Sequence, residues 1–130
     1  MADTLFSIHS FVRYFVLLAG AGAIITAALG WRTAGLPPRA ERALGAAFVG
    51  FLDLQVLLGV LLLVSGFPFY GALTGHIFMM LLAAGAAHAG SVIARRREPA
   101  RSGSPVRFAG FLLAVLFIIG GIMAIQRPII

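Results

Sequence analysis

The chain has 130 residues, of which 61% are hydrophobic and only 11% charged, whereas a soluble domain carries about 25% charged residues. Mean hydropathy is +1.04, which excludes a water-facing surface over most of the chain. There is no cysteine, so disulfides, thiolate metal sites, iron–sulfur ligation and a cysteine nucleophile are excluded as well.

Four apolar runs follow one another, over about residues 5–31, 43–66, 69–93 and 106–126. Each is long enough to cross a hydrocarbon core of roughly 30 Å at about 1.5 Å per residue. The runs are continuous, not alternating, and too long for strands. Inside lipid the backbone must satisfy its own hydrogen bonds, so helices follow. The expected fold is all-α: an integral membrane four-helix bundle forming a single transmembrane domain. The first run lacks a basic start and contains Arg13, so it reads as a span and not as a cleavable signal peptide.

The net charge is +6, and every basic residue is arginine. The first connection carries Arg32, Arg39 and Arg42, and is broken by Gly35, Pro37 and Pro38. The second, near Ser65 to Gly71, is short and uncharged. The third carries Arg95, Arg96, Arg97, Arg101 and Arg107, with Pro99, Gly103 and Pro105 as breakers. Arginines placed between spans set orientation, so membrane topology accounts for the charge and no nucleic-acid partner is expected. The first and third connections should face the cytoplasm of a bacterial inner membrane, giving an N-out, C-out multi-pass protein.

Small residues recur four apart: Ala19, Ala23 and Ala27; Ala83 and Ala87; Ala86 and Gly90; Gly120 and Ala124. Such stripes let helices approach closely in lipid. Packing within the bundle is the simpler reading, and an interface with a partner subunit or pigment the sharper one.

Ionisable residues within a span cost roughly 2.5–3.5 kcal/mol each at a helix centre. The first helix carries His9 and Arg13, the second Asp53, the third His76 and His88. Counting from the outer ends, His9 lies roughly 6 Å deep, Arg13 roughly 12 Å and His76 roughly 10 Å. Two histidines on different helices at matched depth meet the requirement for bis-histidine haem ligation, with His9 and His76 as metal ligands. Arg13, one turn below His9, would pair with a propionate or with Asp53. Tyr14 is a candidate donor. Met79 and Met80 follow His76 at i+3 and i+4, and Met80 is the candidate for ring contact or axial ligation. Ordinary core packing is the plainer reading of both methionines, and an interfacial hydrogen bond that of each histidine taken alone.

His88 lies roughly 18 Å beyond His76 and about 120° around the helix, so it cannot ligate the same metal. It marks a second-site candidate or an interfacial histidine. Asp53 and Arg13 differ in depth by about 5 Å, so a buried Arg13–Asp53 pair that fixes helix register is expected. Gln55 reads as a polar companion for a cofactor or for another helix.

The stretch from His9 through Ser10 to Arg13 and Tyr14 resembles the His-Ser-x-x-Arg-Tyr opening of small bacterial four-helix membrane proteins labelled cytochrome-b-like. Asp53, Gln55 and Gly59 resemble that family's His-x-Gln second helix, with Asp53 standing where the family has histidine. His76 followed by Met79 and Met80 resembles its third helix. The resemblance implies a haem protein and supports His9 and His76 over any site at Asp53.

The expected function is membrane electron transfer by a b-type haem held between the first and third helices, with quinone as a further cofactor candidate. The alternative is a non-catalytic accessory or structural subunit of a larger respiratory or photosynthetic complex, contacting quinone, lipid or pigment. Neither reading requires substrate chemistry, so an electron relay or accessory subunit is expected before an enzyme. Partners would be lipid, a larger membrane complex or further copies of the chain. A transporter is the weakest reading, because no discontinuous helices appear in two related halves.

Overall fold

The computed structural model describes residues 2–32, 38–66, 68–69, 71–97 and 103–125. Four helices account for nearly all of them: α1 (Ala2–Arg32), α2 (Pro38–Val64), α3 (Gly71–Arg95) and α4 (Ser104–Ala124). All four are long and apolar enough to span a membrane. The protein is an all-α, multi-pass membrane bundle.

The helix ends depart from the hydropathy boundaries for local reasons. α2 starts at Pro38, five residues before the apolar run. Proline suits a first helical position, where its missing N–H has no partner to lose, and Glu41 in the first turn favours the helix dipole. Arg39 and Arg42 therefore belong to a helix and not to a loop. α4 likewise begins with Ser104 and Pro105. After Val64 the chain turns at Gly66, whose φ of 95° suits glycine. Gly35, Pro37, Pro99, Arg101, Gln126 and Arg127 lie outside the described residues.

α3 and α4 pack most closely, α1 packs on α2 and on α4, and α2 and α3 touch least of the four neighbouring pairs. The bundle is thus a ring with one loose side, in which α1 faces α3 across the centre. The tightest crossing joins α3 to α4. A Cβ on Gly90 would lie 3.1 Å from the Cα of Gly110, so only two glycines let these backbones meet. Ala83 and Ala87 on α3 and Ala23 and Ala27 on α1 are fully enclosed. These small residues serve packing inside the bundle. On α4, Ala114 and Gly121 are buried, while Gly120 is part-buried and Ala124 exposed.

The centre is aromatic. Phe48 and Phe111 meet edge to face at 5.4 Å, both fully buried, above Leu52, Ala114 and Ile118. Toward the arginine-rich end lies a closed polar cluster. Arg107 donates to Glu41 at 2.6 Å, and Ser104 Oγ donates to the other carboxylate oxygen at 2.6 Å. Both charged side chains are 5% exposed. Gly30 leaves the space that the Glu41 carboxylate fills.

Candidate functional site

The opposite half of the bundle holds a second polar cluster, and this one is open. His9 and Arg13 from α1, Gln55 from α2, and His76 and Met80 from α3 line a cavity of about 60 Å³, closed below by Val16, Leu52 and Ile118. A second cavity of about 130 Å³ shares His9, Gln55, His76 and Met80 with it. This one runs between α2 and α3, walled by Val56, Val60, Leu63, Ile77 and Leu81. The loose side of the ring is therefore where the cavity widens.

Two hydrogen bonds to backbone shape the cluster. Gln55 Nε2 donates to the carbonyl of His9 at 2.8 Å, fixing α2 against α1. His76 Nδ1 lies 2.9 Å from the carbonyl of Gly121. A carbonyl only accepts, so Nδ1 carries the hydrogen and the neutral ring keeps its lone pair on Nε2. That arrangement, a second-sphere carbonyl orienting an imidazole, is also how metal-ligating histidines are held. Gly121 lets α4 come this close, since any side chain there would meet the Met80 methyl.

Three buried atoms in this cluster have no hydrogen-bond partner: His9 Nδ1, Arg13 Nε and Gln55 Oε1. Arg13 Nη2 donates to the Tyr14 hydroxyl at 3.0 Å, and its guanidinium lies 4.8 Å from that ring. Tyr14 itself is outward-facing, 44% exposed, and lines neither cavity. Met79 packs toward α4 at Gly120 and Gly121, while Met80 stands in the cavity wall.

The expected Arg13–Asp53 pair does not form. Asp53 is bound to His88 Nε2 at 2.8 Å, and both side chains are half exposed. Arg13 makes no ion pair among the described residues. The reason is helix phase. Asp53 and Gln55 are two residues apart, about 200° around α2. With Gln55 turned onto α1, Asp53 must turn away from it. His88 is likewise outside both cavities, and its partner is a carboxylate on the neighbouring helix.

Neither Glu41 nor Arg107 stands out in the sequence, because both sit among loop-like residues. A signal was available: the chain has only four acidic residues, and Glu41 lies in a stretch dense in arginine. The open cluster differs in kind. Apolar cavities of about 150 Å³ take a single benzene ring, so the larger cavity matches one six-membered ring. A four-ring tetrapyrrole would need α1 and α3 to part. Among the described residues no three His, Asp or Glu side chains gather into a metal site. The chain matches no protein-family model, no curated protein and no solved structure.

Proposed function

We propose that this chain is a membrane subunit that binds one quinone-class ring in the cavity between His9, Gln55 and His76, as an accessory component of a larger respiratory or photosynthetic complex. The observation that carries the reading is the set of three unpartnered polar atoms at two adjoining cavities: His9 and Gln55 line both, including the ring-sized one between α2 and α3, and Arg13 lines the smaller one. Arg13 Nε–H donates, Gln55 Oε1 accepts, and His9 Nδ1 takes either role. A quinone offers carbonyl acceptors and a quinol offers hydroxyl donors, so the set suits both states. The apolar walls of the ring-sized cavity, Val56, Val60 and Leu63 on α2 and Ile77 and Leu81 on α3, suit a ring whose apolar tail runs out between these helices into the lipid. With the arginine-rich end in the cytoplasm of a bacterial inner membrane, both termini are outside and the ring site lies in the outer half.

A second reading is favoured by one specific observation, the His76 ring oriented by the Gly121 carbonyl across from His9. In that reading His9 and His76 would hold a b-type haem once α1 and α3 part, the haem would supply one-electron transfer, and Arg13 would offset the charge of a propionate.

One preparation separates the two. The protein is purified in mild detergent, its visible spectrum is recorded before and after dithionite, and the sample is then extracted with organic solvent for quinone analysis. A colourless protein with near-stoichiometric quinone supports the first reading. Reduced bands of a low-spin b haem, lost in both His9→Ala and His76→Ala and kept in His88→Ala, support the second. A folded, colourless protein without quinone overturns both.

A further inference from the structure

Asp53 and His88 form a pair that the bundle does not enclose. Their side chains are 48% and 49% exposed, on the outward faces of two membrane-spanning helices. Asp53 stands 14 residues from Arg39 and 11 from Val64 at the ends of its span, so it lies near mid-membrane. Ionisable groups at that depth turn toward protein or a water-filled cavity, because hydrocarbon offers them no partner. Neither residue lines the cavities of the ring site. The pair therefore needs a cover.

The surroundings are shaped for a helix to approach. Gly50 and Gly85 each precede the pair by three residues, placing them on the same faces as Asp53 and His88. A Cβ built on either glycine meets nothing within 4 Å. The small residues buried on α3 serve contacts within the bundle, whereas these two open outward. Exposed Leu54 and Leu57 on α2 and Leu82 on α3 flank them.

We infer that the α2–α3 face, centred on Asp53, His88, Gly50 and Gly85, is the interface through which two copies of this chain associate in the membrane. Charge complementarity selects a second copy. Each face presents one carboxylate and one imidazole side by side at the same depth. A two-fold axis along the membrane normal keeps that depth and sets Asp53 of each copy against His88 of the other, as an isologous contact requires. The four side chains then share their hydrogen bonds across the interface, and the open glycines let the backbones close around them. The interface lies nearer the arginine-rich end than the ring site, whose walls run over residues 55–63 of α2 and 73–81 of α3, so the inference is independent of what that site binds.

The absence of cysteine makes the test direct. Single-cysteine variants Leu54→Cys and Leu82→Cys, at exposed positions that flank the glycines, are treated in native membranes with a short bifunctional maleimide. Leu18→Cys on α1 and Leu116→Cys on α4, at 72% and 55% exposure, probe the other faces. Cross-linked species of twice the chain mass from the α2–α3 positions, and not from Leu18 or Leu116, are expected. Adding Asp53→Ala should lower that yield about threefold, the worth of a typical interhelical hydrogen bond in lipid. Two differently tagged wild-type copies, co-expressed, should co-purify. Monomers throughout, equal cross-linking from all four positions, or adducts to a different protein would overturn the inference, as would tagged copies that never co-purify.

Discussion

The two ends of the bundle handle buried polarity in opposite ways. At the arginine-rich end, Glu41 has both oxygens occupied, one by Arg107 and one by Ser104. At the other end, His9, Arg13 and Gln55 each keep one buried atom without a partner. A closed cluster stabilises helix placement and has nothing left to offer a ligand. An open one leaves desolvated groups unpaired, each at a cost of about 1–3 kcal/mol, which a bound ring would relieve. On the proposed reading, that difference separates scaffold from site.

The largest effect should come from breaking the closed cluster. Arg107→Leu leaves the Glu41 carboxylate buried and alone, and about 3–5 kcal/mol of stability should be lost. Unfolding in mixed detergent and SDS measures it. Removing both charges, in Glu41→Leu with Arg107→Leu, should recover most of that loss, because an apolar pair of similar volume avoids the desolvation cost. If the double variant is as unstable as the single one, the cluster does more than satisfy itself.

The open cluster should respond in occupancy more than in stability. His9→Ala and Gln55→Ala each remove a hydrogen-bonding group from the ring site, and bound quinone after purification should fall about tenfold for a loss near 1.4 kcal/mol. Their unfolding midpoints should shift far less than that of Arg107→Leu. Equal shifts would mean that this end, too, is scaffold. The smallest effect belongs to Tyr14→Phe. Its hydroxyl meets only Arg13 on an exposed face, so stability should change by no more than about 0.5 kcal/mol and quinone content should be unchanged.

The fold was largely legible because four apolar runs admit few other structures in lipid. The gathering of His9, Arg13 and His76 was legible for a related reason: each helix rises at a fixed rate from one membrane face, so residue counts convert to depth. Rotation about the helix axis was harder to read. Depth allowed Arg13 and Asp53 to meet, but phase forbade it, and that phase was fixed only when Gln55 engaged the His9 backbone. Glu41 and Arg107 were hidden by the opposite error. They sit where prolines and arginines suggest loops, yet α2 reaches past its apolar run to include Glu41, and Arg107 falls in the first turn of α4.

The sparse contact between α2 and α3 bears on how the molecule is put together. α1 with α2, and α3 with α4, are two hairpins that each hold themselves, joined chiefly where α4 lies on α1. Helices in lipid form first and associate afterwards, so the hairpins are the natural units of biogenesis. A gene split after Val64 and expressed as two pieces should still yield a complete bundle, with the fragments finding each other in the bilayer.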